Sequence, residues 1–284
     1  MKGIILAGGS GTRLYPTTQI QNKGLLPVYD KPMIYYPLCT LIESGVKDIC
    51  IITSPEQLNN YKKLLGNGSK IGIKICYKVQ KKPEGIAQAF LIARTFIKNQ
   101  KVALILGDNI FYGSRVFAKS FRNFRSGGII FGYEVKNPSR YGVVNFHEGK
   151  LESVVEKPEK PPSNYAVPGL YIFDKDVVKF VGEYVKKSER GEYEITSVIN
   201  NYIVRKSVKL VKINRGCAWL DAGTPKSLHE SSEYIKVIEE RQGIKIGCIE
   251  EAAYNKKFIN KTQLAAITDK MPNSDYKDYL LGLS

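Results

Sequence analysis

Three groups of residues in this chain have types and spacings suited to chemistry. Gly8-Gly9-Ser10-Gly11-Thr12 runs into Arg13, and Lys23 follows ten residues later. A glycine-rich loop can turn several backbone N–H groups toward one point, and two nearby cations add charge, which suits a polyphosphate. Gly107-Asp108-Asn109 and Trp219-Leu220-Asp221 each supply an aspartate. Two such carboxylates brought together can share one Mg²⁺ and leave positions for phosphate oxygens. Glu156-Lys157-Pro158 sets an acid beside a base, able to divide one ligand between its hydroxyls and its phosphate. Each group alone has a plainer reading: a tight turn, a helix cap, a solvated ion pair. Their coincidence in one chain favours nucleotide chemistry.

Two better-known glycine motifs do not fit. A dinucleotide fingerprint read from Gly9-Ser10-Gly11 needs glycine or alanine where Leu14 stands. An ATPase-type phosphate loop counted from Gly3 to Gly8 needs lysine at the position of Gly9.

The elements that must hold these residues follow from the hydrophobic pattern. Short apolar runs alternate with helical stretches: Gly3–Ala7, Met33–Ser44, Asp48–Thr53, Glu56–Leu65, Ile73–Val79, Gly85–Ile97 and Val102–Leu106. Within Gly85–Ile97, Ile86, Phe90, Ala93 and Ile97 recur at helical spacing. Such alternation predicts an α/β fold with a mostly parallel sheet covered on both faces, its ligands outside the carboxyl ends of the strands. The glycine loop and Asp108 both fall at such ends. Beyond Gly107 strands are expected at Gly128–Glu134, Gly142–Phe146, Leu151–Val155, Ala166–Phe173 and Val208–Lys212, the second and third forming a hairpin around Gly149. Helices are expected near Asp176–Tyr184, Ile195–Val204 and Pro225–Glu240. This divides the chain into a core, residues 1–243, and a helical appendage, residues 244–284.

Composition narrows the partners. At 284 residues, with 43% hydrophobic and 25% charged side chains, the chain can bury a full core. Its net charge of +16 comes from scattered lysines without an arginine-rich arm, so a solvated surface is favoured over nucleic-acid binding. Five dispersed cysteines without a Cys-x-x-Cys pair fit reduced thiols rather than a disulfide framework. Only two histidines leave no histidine-rich metal cluster. No apolar run approaches membrane-spanning length and a first strand starts at once, so a cytoplasmic protein is expected.

The motifs in order resemble the glucose-1-phosphate thymidylyltransferase family, in its short homotetrameric form. The segments that carry this resemblance are Gly8–Leu14, Lys23 with Leu25–Pro37, Gly85–Ala89, Leu106–Asn109, Arg140–Val144, Glu156–Pro158, Ala218–Asp221 and Arg241–Gly243 with Glu250-Glu251. They run from residue 1 to about residue 260. The resemblance implies a Rossmann-like nucleotide-diphospho-sugar transferase fold with a mixed, mostly parallel sheet, a nucleotide part to about residue 110 and a sugar-phosphate part over residues 111–243. It further implies Mg²⁺-dependent transfer from dTTP to glucose 1-phosphate. The products would be dTDP-glucose, for deoxysugar biosynthesis, and pyrophosphate. It also implies roles. Arg13, Lys23 and Lys157 are catalytic; Gly8, Gly9, Ser10, Gly11, Thr12, Gln80, Gly85 and Asp108 bind nucleotide with Arg13 and Lys23. Asn109, Tyr141, Gly142, Glu156, Asn164, Val167 and Tyr171 line the sugar pocket with Lys157, and Asp108 with Asp221 holds the metal.

Departures from the family pattern are equally specific. Gly24 stands where glutamine is usual, and Pro168 where threonine is usual. At the family's interface site for its end product, Glu43, Ser114, Ala252 and Asn255 replace leucine, histidine, isoleucine and arginine. Losing an arginine and a histidine should weaken a site for a diphosphate. A UTP-using or broader sugar-1-phosphate enzyme, and a non-catalytic nucleotide-sugar sensor, are the competing readings; retention of Arg13, Lys23, Asp108 and Asp221 argues against the sensor.

Overall fold

The computed structural model describes residues 1–9, 11–113 and 116–283. The apolar run Lys2–Ala7 is buried on both faces, as the central strand of a helix-covered parallel sheet must be. It lies between the parallel strands Asp48–Thr53 and Val102–Leu106, with Ile4 opposite both Cys50 and Leu104. Lys74–Val79 adds parallel to Asp48–Thr53 and forms that edge of the sheet. On the other side the sheet turns antiparallel. Leu170–Phe173 pairs with Val102–Leu106 and with Gly128–Glu134, and the hairpin of Gly142–His147 and Lys150–Glu156 continues outward. The fold is therefore the expected mixed sheet between helical layers.

Alternation along the central strands feeds two cores. Ile5, Ile51, Ala103 and Ile105 face Leu38, Leu41, Phe117 and Ile249, which belong to the helices Tyr35–Glu43, Val116–Asn123 and Ile249–Asn255. Ile4, Ile52 and Leu104 face Phe90, Val181 and Val198 from the helices Gln88–Ile92, Val177–Tyr184 and Ile195–Val204. A third cluster of Val28, Met33, Ile110 and Ile235 seats the long helix Pro225–Gln242. That helix starts at a Thr224 capping box with Pro225 in its first turn and stops at Gly243, whose φ of 64° lies in the left-handed region. The nearly inaccessible Lys31 and Glu239 carboxylate pair at 2.9 Å, and Lys245 bridges Glu239 and Asp30 at 3.0 and 2.6 Å. This network ties the long helix to the turn between Pro27–Val28 and Lys31–Pro32.

Several elements differ from expectation. The predicted helix Gly85–Ile97 is two short helices, Gln88–Ile92 and Arg94–Ile97, joined at Ala93. The predicted strand Ala166–Phe173 is Tyr165–Ala166 and Leu170–Phe173, interrupted at Val167-Pro168-Gly169, where proline has no N–H to donate. An additional antiparallel pair, Asn109–Tyr112 with Ala218–Asp221, had no clear alternation to reveal it.

The C-terminal helices bury Glu250, whose Oε2 accepts from Tyr276 Oη at 2.5 Å. Burial, only partly offset by Tyr276 and Lys31, raises its carboxyl above the ordinary value. A native state that binds this proton more tightly than the unfolded chain loses stability as pH rises from 4.5 through the raised value. Glu250→Gln keeps an acceptor for Tyr276 and removes the titration. Its thermal midpoint should fall less steeply than the parent's between about pH 4.5 and pH 7, measured by circular dichroism across that range.

Candidate functional site

The strand Lys2–Ala7 empties into the glycine loop, where Gly11 takes φ 63° before the turn Thr12–Leu14. Gly8 must lack a side chain because Gln80 Oε1 fills the place of its Cβ, with Gln80 Cβ and Cδ at 3.2 and 3.3 Å from it. Ser10 lies outside the described residues. Thr12 and Arg13 are exposed, and Arg13 reaches across to Gly223, where its Nη2 would stand 3.0 Å from an added Cβ. Gly85 has φ 103° and packs on the Tyr193 backbone, whose carbonyl oxygen would sit 2.5 Å from any Cβ.

Asp108 and Asp221 are 113 positions apart in sequence, and the antiparallel pair makes them neighbours by placing Asp221 opposite Asn109. Asn109 then fixes the geometry. Its Oδ1 accepts from Trp219 Nε1 at 2.7 Å and from the Gly169 N–H at 2.9 Å, which leaves Nδ2 to donate to Asp108 Oδ1 at 2.9 Å. The other Asp108 oxygen receives Lys23 Nζ. Burial alone would raise the Asp108 carboxyl, but the Lys23 charge and the bonds from Lys23 and Asn109 hold it below the ordinary range. Asp221 moves the opposite way: burial and then the negative charge of Asp108 raise it, against Lys23, Arg13 and Arg140. Arg140 Nη2 stands 3.7 Å from Asp221 Oδ2.

These groups open onto a cavity of about 360 Å³ lined by Arg13, Asp108, Asn109, Tyr141, Gly142, Glu156, Lys157, Val167, Tyr171 and Asp221. Lys23 belongs to a smaller adjoining cavity of about 140 Å³ with Gly9, Gly24 and Asp108. Lys157 takes φ 43°, a left-handed conformation that costs a lysine energy, and its N–H is held by Tyr141 O at 3.0 Å. Burial and Glu194 raise the Glu156 carboxyl, while Lys157 and Arg190 draw it down. Burial raises the Tyr171 hydroxyl. Asn164 stands apart: it is exposed, does not line this cavity, and its carbonyl accepts from the Val135 N–H.

Several contributors were not picked out by type or spacing. Trp219 packs on Tyr141 with centroids 4.9 Å apart and orients Asn109. Thr196 and Ile195 line the cavity from the start of their helix. Arg190 reaches Glu194 at 2.7 Å and Glu156 at 3.5 Å; a cation two residues before an acidic Glu192-Tyr193-Glu194 run was its only sequence signal. A larger cavity of about 630 Å³ lies on the other core's side, lined in part by Glu43, Glu251, Ala252 and Asn255. Ser114 lies outside the described residues.

The nucleotidyl transferase family model matches residues 2–237. The glucose-1-phosphate thymidylyltransferase of Mycolicibacterium smegmatis is 51% identical over 286 residues, covering 100% of this chain and 99% of its own. That of Neisseria meningitidis is 47% identical over 287 residues at the same coverage. The chain belongs to the glucose-1-phosphate thymidylyltransferase family. A solved Bacillus anthracis structure bearing that family name, in complex with sucrose, superposes with a TM-score of 0.77 at 41% identity, over 82% of this chain and 94% of the other. A UDP-glucose pyrophosphorylase structure with UDP-glucose gives 0.73 at 25% identity, over 84% and 98%. The family works with a divalent metal. Among the described residues, no helix is long and apolar enough to cross a membrane.

Gly24 is explained by its neighbour. Tyr61, fully buried, sends its hydroxyl to Asn22 Oδ1 at 2.7 Å, and the same oxygen accepts the Gly24 N–H at 3.0 Å. A Cβ on Gly24 would collide with the Tyr61 hydroxyl. Gly24→Ala should cost about 1–3 kcal/mol, and adding Tyr61→Phe should recover part of it; urea unfolding of the single and double variants measures both.

Proposed function

We propose that this chain transfers a thymidylyl group from dTTP to α-D-glucose 1-phosphate, giving dTDP-glucose and pyrophosphate. The observation that carries this reading is the single cavity in which Arg13 and the Asp108–Asp221 pair meet Glu156, Lys157 and Tyr171. A phosphate oxygen of the sugar attacks the α-phosphorus of dTTP in line. As that P–O bond forms, the bond to the β-phosphate oxygen breaks, and pyrophosphate leaves with the electron pair. The protein's contribution is position and charge rather than a covalent intermediate. Gly8, Gly9, Ser10, Gly11 and Thr12 would cradle the triphosphate, with Arg13 neutralising the departing pyrophosphate and Lys23 the phosphates nearer the attack. Lys157 would hold the sugar phosphate, with Tyr141, Gly142, Glu156, Val167 and Tyr171 around the hexose; Asn164, which does not line the cavity, falls outside that set. Gln80 and the Gly85 backbone would read the pyrimidine.

The residues present fit Mg²⁺: two hard carboxylate donors, whose mutual repulsion is part of what raises Asp221, are the donor type this ion selects. Asp108 and Asp221 would hold it, and it would supply charge neutralisation at the phosphate oxygens. The proposed protein is cytoplasmic, forms a homotetramer and binds no nucleic acid, with residues 1–243 as the transferase unit and 244–284 as a helical appendage whose Ile249 and Leu264 pack into the same core.

Pyrophosphate release from glucose 1-phosphate with dTTP or UTP, with Mg²⁺ or EDTA, tests the reading. Turnover should need the metal, prefer dTTP, and drop by about 10²–10³ in Asp108→Asn. No turnover with any sugar phosphate would refute it.

The larger cavity gives a separate expectation. Its lining carries Arg122, Lys245 and Lys256 beside Glu251, but Glu43 adds a carboxylate and Asn255 stands in place of a cation, so a nucleotide-sugar diphosphate meets less positive charge there than the family pattern supplies. Feedback by dTDP-glucose through this cavity should be weak or absent, and inhibition at micromolar product that saturating dTTP does not relieve would contradict this.

A further inference from the structure

Gln80 is 3% exposed and sits beside Gly8, anchored by its N–H to Thr53 O at 2.8 Å. An amide end can present either a carbonyl or an NH₂, and which one faces a ligand is a choice the surroundings must make. Here the choice is made at Gln88, eight positions along the chain. Gln88 Oε1 accepts from the Glu84 backbone N–H at 3.2 Å, and Gln88 Nε2 donates to Glu84 Oε2 at 2.8 Å. A backbone N–H can only donate and a carboxylate only accept, so the Gln88 amide has one permitted orientation. Its fixed oxygen then takes Gln80 Nε2 at 2.6 Å, which turns Gln80 Oε1 toward Gly8 and the nucleotide loop. Lys187 steadies the far end of the relay by donating to Glu84 Oε1 at 2.5 Å.

We infer that Gln88, positioned by Glu84, sets pyrimidine choice by locking Gln80 with its carbonyl toward the base. The inference rests on the reading of Gln80 as the residue that meets the pyrimidine. Thymine and uracil carry a proton on N3 and offer it to a carbonyl, whereas cytosine presents a lone pair there. A locked acceptor therefore accepts the first two and leaves cytosine with an unpaired, desolvated group, which is the most discriminating form of rejection a pocket has. Gln88 is a positioning residue: it touches Gln80 and needs no contact with the nucleotide.

The test compares dTTP and dCTP, in turnover with glucose 1-phosphate and in calorimetric binding without it, for the parent, Gln88→Met, Gln88→Glu and the exchange Glu84→Gln/Gln88→Glu. Methionine matches glutamine in length but cannot orient Gln80. Gln88→Met should narrow the dTTP-to-dCTP preference in kcat/KM by about tenfold, through a higher KM for dTTP with kcat nearly unchanged. Gln88→Glu alone sets a carboxylate oxygen against Glu84 Oε2, so it should lose its place and narrow the preference too. The exchange Glu84→Gln/Gln88→Glu again gives that contact one donor and one acceptor and keeps an oxygen for Gln80 Nε2, so it should restore the preference. A purely structural role would lower both nucleotides together in Gln88→Met, and that result, or an exchange variant no more selective than Gln88→Glu, overturns the inference. If Gln88→Met fails to fold, Gln88→Glu against the exchange decides. A parent that binds dTTP over dCTP without turnover would refute the proposed reaction and leave the relay standing.

Discussion

Everything at the site depends on one side-chain amide. Asn109 has two donors on its oxygen, the Trp219 indole and the Gly169 N–H, and spends its nitrogen on Asp108. Those contacts come from three separate parts of the chain. They join the end of a central parallel strand, the break between two antiparallel strands and the short ribbon that carries Asp221. Because the ribbon places Asp221 opposite Asn109, the bonds that hold Trp219 also hold the second carboxylate near the first. The opposed behaviour of the two acids follows: Asp108 is satisfied by Lys23 and Asn109, while Asp221 faces the charge that Asp108 keeps.

Much of this was legible in the residues. The first strand, the glycine loop at its end, Asp108 at the end of a second strand and the helix Ile195–Val204 all follow from local pattern, because each is decided by neighbours in sequence. The ribbon was not, since Asn109–Tyr112 and Ala218–Asp221 are four residues each and are strands only because they pair with one another. The break at Val167-Pro168-Gly169 was hidden for a related reason. Apolar content on both sides reads as one strand, and only Pro168 and the Gly169 bonds to Asn109 and Leu106 divide it. Gly24 illustrates a third limit, for the atom that excludes a side chain there belongs to Tyr61, 37 positions away.

The charge of the chain and the charge of the site are separate matters. Most of the surplus lysines lie on exposed surfaces, whereas several cations at the site are tied to carboxylates: Lys23 to Asp108, Arg140 to Asp221, Lys157 to Glu156, and Arg190 to Glu156 and Glu194. Such pairing fixes the cations in place, and it gives an arriving phosphate a partner to displace rather than a mobile side chain to order.

One segment joins the two halves of the site. Lys187 reaches Glu84 beside the Gln80 pocket, and the backbone of Tyr193 exchanges hydrogen bonds with Glu84 and Ala87 at 2.7 and 3.0 Å. A few residues away, Arg190 and Glu194 approach Glu156 on the wall of the larger site cavity. Gly85 is glycine because that segment's backbone passes too close for any side chain. The segment is thus packed against one half and ion-paired to the other, and displacing it would disturb both together. A reaction that needs two anionic substrates aligned on a common line gains from such a brace, because misplacing either one forfeits the proximity on which the rate depends.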